Sequence, residues 1–144
     1  MDFKLDDAIG YTMEKTLKIL AEELHRAFRQ VGHEITPYQF HILFMLWEEE
    51  GLFMSQLKKG AIVDSPTVTR NVDYLERSGY VERRADGDDR RKTRLFLTEK
   101  GRASRDVLLP AQLRHYERSR VGISDEEMKV LKDIAAKVKS NLGR

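Results

Sequence analysis

The chain has 144 residues and no cysteine, so it is long enough for one ordinary domain or two small lobes, and disulfides, thiolate metal sites and thiol-based oxidation switches are excluded. Lys and Arg number 26 against 24 Asp and Glu, so the net charge is only +2 and a basic binding surface would have to be local. No apolar run approaches the ~20 residues of a membrane span, and the opening MDFKLDD is too acidic for a secretory signal, so a cytoplasmic protein with no membrane partner is expected.

The N-terminal part of the chain predicts one long amphipathic helix over residues 7–31. Apolar side chains recur there every three or four positions, at Ile9, Met13, Leu17, Leu20, Leu24, Phe28 and Val31. A second helix begins at Thr36, where Thr-Pro-Tyr-Gln forms a capping box with proline in the first turn. That helix runs through Trp47 and is apolar on nearly every face, so we expect it to be buried between lobes.

Residues 64–79 predict a helix with one polar, cationic face. Asp64 or Ser65 can cap its first turn, Pro66 needs no hydrogen-bond donor there, and Gly79 ends it. Thr67, Thr69 and Arg70 lie on the face that can approach the edges of DNA bases. Val68, Val72 and Leu75 recur at helical spacing on the opposite face, which packs against the core.

A two-stranded hairpin is predicted directly after this helix, from residues 80–84 and 93–98. Alternation puts Thr93, Leu95 and Leu97 on one face, and the Asp- and Gly-rich residues 85–89 suit a tight turn. Between Arg83 and Arg102 there are eight basic and four acidic residues, a local net charge of +4. This concentration is what a phosphate-contacting surface requires, because counterion release scales with the cations brought to the DNA backbone; a solvated charged hairpin is the alternative.

The C-terminal part predicts two more helices. Residues 99–120 form one, which Pro110 should kink or break, and Ser124 to Glu127 is a capping box that begins the other. Apolar residues of the last helix form another stripe, at Met128, Leu131, Ile134, Ala135, Val138 and Leu142. These terminal helices either close a monomeric bundle or form a dimer interface, and we favour the dimer because the middle segment already has its own core.

Taken together, these motifs resemble the MarR-type winged helix-turn-helix transcriptional regulators over essentially the whole chain. The resemblance rests on DRR at residues 89–91, LFLTEKG at 95–101, PTVTR at 66–70, and the LE and GYV that follow. It departs from the family in the preceding helix, which starts with Ser55-Gln56-Leu57. There Gly60 replaces a helix former, so that helix is expected to be short or bent, and Lys58 and Lys59 replace small or acidic residues.

The resemblance implies a mainly α fold with a small β-hairpin wing. Residues 32–101 would be the winged helix-turn-helix DNA-binding domain, and residues 1–31 and 102–144 a helical dimerisation region. Arg91 would enter the minor groove from the wing tip while Asp89 holds its guanidinium. The expected DNA-binding residues are Ser65, Thr67, Thr69, Arg70, Asp89, Arg90 and Arg91.

The family binds small, often aromatic or lipophilic acids in the seam between the first two helices. Candidate liners here are His25, Phe28, Tyr38, His41 and Met45, although aromatic residues and Met at helical spacing are usually core. The expected function is that of a homodimeric repressor on a pseudo-palindromic double-stranded operator, released by such an effector.

Four alternatives stay open at this point. An activator would have the same residues, and a winged helix used for protein docking would have an acidic or apolar wing instead of a basic one. A metal-responsive regulator could bind through His25, His41 and His115 if three helices brought them together. An enzyme is disfavoured, because the histidines and the adjacent Asp88 and Asp89 form no convergent acid–base pair and no glycine-rich loop opens a helix. No cofactor and no dedicated metal site are expected.

Overall fold

A computed structural model describes residues 4–144; residues 1–3, the start of the acidic N-terminal segment and of the predicted dimerisation region, lie outside the described residues. After a 3₁₀ turn at Leu5–Asp7, six helices and three short strands follow in the part of the chain that is described. They are α1 (Ile9–Gln30), α2 (Pro37–Glu48), β1 (Leu52–Phe53), α3 (Met54–Gly60), α4 (Ser65–Arg77), β2 (Val81–Ala85), β3 (Thr93–Leu97), α5 (Glu99–Ser119) and α6 (Asp125–Asn141). None of these helices is both long and apolar enough to cross a bilayer.

The helix starts follow the capping signals of the sequence. Thr36 with Gln39 and Ser124 with Glu127 form reciprocal capping boxes, as predicted. At the start of α4 the cap is Asp64, whose carboxylate accepts the Thr67 N–H at 2.9 Å, so Ser65 is the first helical residue. The predicted register of the polar and apolar faces of α4 is therefore confirmed.

The hairpin is confirmed, but the sheet has three strands and not two. The order is β1-β3-β2, all antiparallel, with Leu52 opposite Leu95 and Val81 opposite Leu97. Sequence reasoning missed β1 because two residues are too few to show alternation. β3 is therefore the central strand of the sheet, and β1 and β2 are its two edges.

One apolar core joins the helices to this sheet. α2 lies at its centre with Leu43 and Leu46 fully buried, and α4 and β3 contribute Leu75 and Leu95. From α1, only Leu24 and Phe28 are buried. The apolar residues of the N-terminal half of α1 are therefore still exposed.

Pro110 does not break its helix, so that alternative of the prediction is wrong. α5 is continuous from Glu99 to Ser119, although proline removes one backbone donor from the helix interior. Leu108 and Ala111 on either side are buried, and α5 packs along α1. This packing offsets the missing hydrogen bond.

α3 is short, as Gly60 predicted, and the glycine has a packing reason. A Cβ at Gly60 would lie 2.9 Å from Met45 Cε, the flexible end of a side chain. Gly101 is a much tighter case, because a Cβ there would lie 2.0 Å from the carbonyl oxygen of Tyr80. The first turn of α5 therefore packs directly against the backbone that leads into β2.

These two glycines give a matched test of the packing. Gly101→Ala should lower the free energy of unfolding by about 2–4 kcal/mol, because the backbone carbonyl of Tyr80 cannot move away without disturbing the sheet. Gly60→Ala should change it by less than about 1 kcal/mol, since Met45 can rotate and alanine favours helix.

Urea denaturation at one fixed protein concentration measures both variants. Equal losses for the two would show that the contact at Gly101 does not control the fold.

Candidate nucleic-acid interface

The recognition surface of α4 is formed by side chains opposite its core face. Val68, Val72 and Leu75 are at most 1% exposed, which fixes the rotation of the helix. On the other side Arg70 is exposed and donates from Nη2 to Thr67 Oγ1 at 2.9 Å. Thr69 donates to the Ser65 carbonyl at 3.2 Å. The guanidinium of Arg70 is thus held over the first turn of α4, with most of its donors open to solvent.

The wing tip presents one oriented arginine. The side chain of Arg91 is 91% exposed, and its Nε donates to Asp89 Oδ1 at 3.1 Å. The same carboxylate accepts the backbone N–H of Arg91 at 3.1 Å, and the hydrogen bond from the Arg91 side chain holds the pKa of Asp89 below its usual value. The predicted Asp89–Arg91 pair is therefore present. Arg90 and Lys92 beside it are also exposed.

Asp86 holds the turn of the wing in shape from inside. Asp86 is only 8% exposed. One oxygen of its carboxylate accepts a hydrogen bond from Arg94 Nε at 2.6 Å, and the other accepts one from the backbone N–H of Asp89 at 3.2 Å. The hydrogen bond from Arg94 lowers the pKa of Asp86. Arg94 also donates to the Gly51 carbonyl at 2.9 Å and stacks 3.9 Å from the ring centroid of Phe53. This network attaches the wing to β1.

Five of the eight basic residues counted around the wing have such structural partners, since Lys100 also donates to the Ser78 carbonyl at 2.8 Å. Arg102 pairs with Glu50 at 2.7 Å, and Arg84 pairs with Glu82 while lying over the ring of Phe96. The cationic residues whose acidic partners lie in another element or turn are Arg83, Arg94 and Arg102, whereas Arg84 pairs within its own strand. The local net charge therefore overstates the exposed positive surface of the wing, which centres on residues 90–92.

Arg83 joins β2 to the recognition helix, a contact that sequence reasoning missed. Its Nη1 donates to Glu76 at 2.7 Å and its Nη2 to Asp73 at 2.5 Å. The other oxygen of Glu76 accepts the backbone N–H of Arg83 at 3.0 Å, on the free edge of β2. Two acids three residues apart on the same helix, followed by an arginine in the next strand, were the available signal.

An apolar cleft of about 480 Å³ lies between α1, α2 and α5. Two of the predicted effector-binding residues, Tyr38 and His41, line it. The other three do not. His25 pairs with Glu34 at 2.9 Å, Phe28 is fully buried with its ring 5.0 Å from that of Phe40, and Met45 packs against Gly60. These three side chains lie on other faces of their helices. The prediction that they line the cleft is therefore wrong.

His25, His41 and His115 do not come together into the metal site that a metal-responsive regulator would need. His41 and His115 both line the cleft, but His25 faces Glu34 instead. Within residues 4–144, no group of three or more His, Asp or Glu side chains has the geometry to hold a metal ion.

Comparison with known proteins agrees with this architecture. The sequence model of the MarR family matches residues 35–93. The HTH-type transcriptional regulator TtmR of Methylorubrum extorquens is 35% identical over 85% of this chain and 63% of its own length. The HTH-type transcriptional repressor YetL of Bacillus subtilis is 31% identical over 77% of this chain and 65% of its own. The chain thus spans less than two thirds of each of these relatives.

A solved structure extends the similarity of fold to nearly the whole chain. It is that of Bordetella bronchiseptica BpsR, from a study of the regulation of its DNA binding by 6-hydroxynicotinic acid. The TM-score is 0.84 over 96% of this chain and 98% of that one, at 18% identity. The relatives' names describe regulators and not enzymes, in agreement with the expectation from the sequence.

The contacts of Arg83 give a prediction for stability, and its neighbour Arg84 provides the matched control variant. Arg83→Ala should lower the free energy of unfolding by about 1–2 kcal/mol, a value reduced from that of a buried pair because the acids are partly exposed. Arg84→Ala removes the same charge from a more exposed pair and should cost less than about 0.5 kcal/mol. Urea denaturation of both variants at equal protein concentration measures the two losses of unfolding free energy. If Arg84→Ala lost as much as Arg83→Ala, the contacts of Arg83 would have no special role in stability.

Proposed function

We propose that the chain is a member of the MarR family, whose sequence model matches residues 35–93. We further propose that it is a homodimeric, sequence-specific regulator of transcription that binds double-stranded DNA, most simply as a repressor. The observation that carries this proposal is the rigid joining of two DNA-reading elements. Arg83 holds β2, the strand that leads to the wing tip, against α4 through Asp73 and Glu76, and Asp89 orients Arg91 at that tip.

The two elements suit different grooves. Arg70, with Thr67 and Thr69 beside it, would read base edges in the major groove, where a guanidinium pairs well with guanine. Ser65 and the N-terminus of α4 would contact phosphate. Arg91 would enter the minor groove, because a permanently charged planar fork suits a narrow groove of negative potential, and Arg90 would lie against the backbone. Asp89 would orient Arg91 and would not contact DNA.

The helices at the two ends support a dimer. α6 has no buried residue in the single chain, and apolar side chains are exposed along α1, α5 and α6. They include Ile9, Met13, Tyr116, Val130, Leu131 and Ile134. A second copy of the chain that covers these faces would make residues 1–31 and 102–144 the dimerisation region and leave residues 32–101 to bind DNA. Two-fold symmetry would then set two α4 helices in successive major grooves, about 10 bp apart.

We further propose that a small aromatic or lipophilic effector binds in the cleft and releases the DNA. YetL is named as a repressor, and the DNA binding of BpsR is regulated by 6-hydroxynicotinic acid. An effector of this chain would act only through a difference in affinity between the DNA-competent dimer and another arrangement.

The proposed roles of Arg70 and Arg91 can be separated on DNA. A duplex from upstream of the reading frame would be titrated by fluorescence anisotropy against a scrambled duplex at two salt concentrations. Binding at least ~10³ tighter upstream, with a steep salt slope on both duplexes, is expected of a sequence reader. Arg70→Ala should cost about 1–3 kcal/mol and relax the preference at one base position in each half-site. Arg91→Ala should weaken binding most where A·T pairs flank the half-site.

Lys137→Ala, which removes one exposed charge from α6, is the control for net charge. If Arg70→Ala weakened binding equally on every sequence, Arg70 would be a phosphate contact. If Arg91→Ala were indifferent to the flanks, the minor-groove role would fail. Absence of binding to any duplex at low salt would favour the protein-docking alternative.

The dimer has its own test in α6. Leu131→Glu combined with Ile134→Glu should convert the dimer to a monomer, because two carboxylates would be buried without partners. Lys132→Glu also adds an acid to the exposed surface of α6 and should leave the dimer intact. Light scattering after gel filtration gives the mass of each variant. A monomeric wild type, or a dimer that survives both glutamates, would refute this interface.

A further inference from the structure

We propose that the cleft between α1, α2 and α5 admits an uncharged aromatic molecule with a hydroxyl or N–H donor, and not an anion. This inference rests on the proposed effector function and specifies the chemistry of its ligand.

Within one chain, the described residues that line the cleft include no Lys, Arg, Asp or Glu. Fourteen residues line the cleft, and ten of them are aliphatic, proline or phenylalanine. The polar ones are Tyr38, His41, Gln112 and His115. An anionic ligand would lose hydration on entering and would meet no Lys or Arg, which is unfavourable because an unpaired buried charge costs several kcal/mol, as an order of magnitude. A neutral ring would instead gain from the apolar walls.

A group of cations on α1 and α5 lines a different groove. Arg26, Arg114 and Arg118 lie around a polar depression on the far side of the α1–α5 contact. Two of these arginines are paired with one carboxylate, since Glu23 accepts from Arg26 at 3.0 Å and from Arg118 at 3.1 Å. His115 lines both spaces, but the arginines line only the polar one.

His41 specifies the complementary hydrogen-bonding group. Its Nε2 lies 3.2 Å from the carbonyl oxygen of Gly60. A carbonyl can only accept, so Nε2 carries the proton in the neutral ring and Nδ1 is left as an acceptor. A ligand that bonds to this ring nitrogen must bring a donor, as a phenol or an aromatic amine does. The oxygens of a carboxylate are also acceptors, so they cannot form a hydrogen bond with this ring nitrogen.

Two fluorescent probes with the same ring system test the charge directly. N-phenyl-1-naphthylamine is neutral, and 8-anilinonaphthalene-1-sulfonate is an anion; both carry an N–H donor. At pH 8, where imidazole side chains are ordinarily neutral, the dimeric protein should bind the neutral probe at least about tenfold more tightly. Ala21→Phe, which fills part of the cleft from α1, should weaken that binding by about tenfold and so assign it to the cleft.

A gain-of-function variant tests the same point from the opposite direction. Gln112→Arg adds a cation to the wall of the cleft and should raise the affinity of the anionic probe by about tenfold. Ser140→Arg adds the same charge on the exposed surface of α6 and should leave the preference of the protein unchanged.

Each outcome bears on one claim. Equal or tighter binding of the anion by the wild type, weakened by Ala21→Phe, would overturn the charge preference while keeping the cleft as an effector site. Binding of neither probe, or binding that Ala21→Phe leaves unchanged, would overturn the cleft as a small-molecule site. The DNA titrations described above are independent of both results, so failure of the ligand chemistry and failure of DNA recognition can be told apart.

Discussion

The carbonyl group of Tyr80 is the point on which the rest of the architecture depends. It accepts the backbone N–H of Thr98 at 3.0 Å where the hairpin closes, and Gly101 packs against it where α5 begins. Thr98 caps α5, and the indole of Trp47 in α2 donates to the Gly101 carbonyl at 2.9 Å. The exit of the recognition helix, the base of the wing and the start of the helix toward the proposed dimer interface therefore meet within a few ångströms. A Leu-Thr-x-x-Gly sequence at this junction has a physical explanation: the threonine is both a cap and a bridge, and only glycine fits.

The paired arginines of this protein fall into two groups: those that join two elements of the fold, and Arg91, which stays exposed at the wing tip. Arg83, Arg94 and Arg102 each join two elements through paired acids, and these contacts orient β2, β3 and the start of α5. Arg91 is paired too, but with a neighbour in its own turn, so the pair orients the side chain without withdrawing it from solvent. A carboxylate near a DNA-binding arginine is thus compatible with binding when it fixes direction and leaves the outer donors open.

Local signals predicted much of the fold, whereas contacts between distant residues were out of reach of the sequence. The capping boxes at Thr36 and Ser124 and the two faces of α4 follow from neighbours three or four residues apart. β1 was missed because it is two residues long and exists only by pairing with β3. The charge count around the wing gave the sign correctly but could not tell which cations have acidic partners. Likewise, helical spacing put aromatic residues near the cleft but could not separate Phe28, which is core, from Tyr38, which lines the cleft.

The cleft lies beside the turn that leads into α4. Ile62, which is 78% exposed in the turn before α4, forms part of its wall, and His41 bonds from α2 to the last residue of α3. Tyr38, His41 and Ile62 also border a much smaller apolar cavity that reaches Val68 and Asn71 of α4. An occupant of the cleft would contact the turn before α4 through Ile62 and would lie beside the imidazole of His41, which bonds to the end of α3. Val68 borders that small cavity and is 1% exposed, so a displacement of the turn would act directly on the packing of α4.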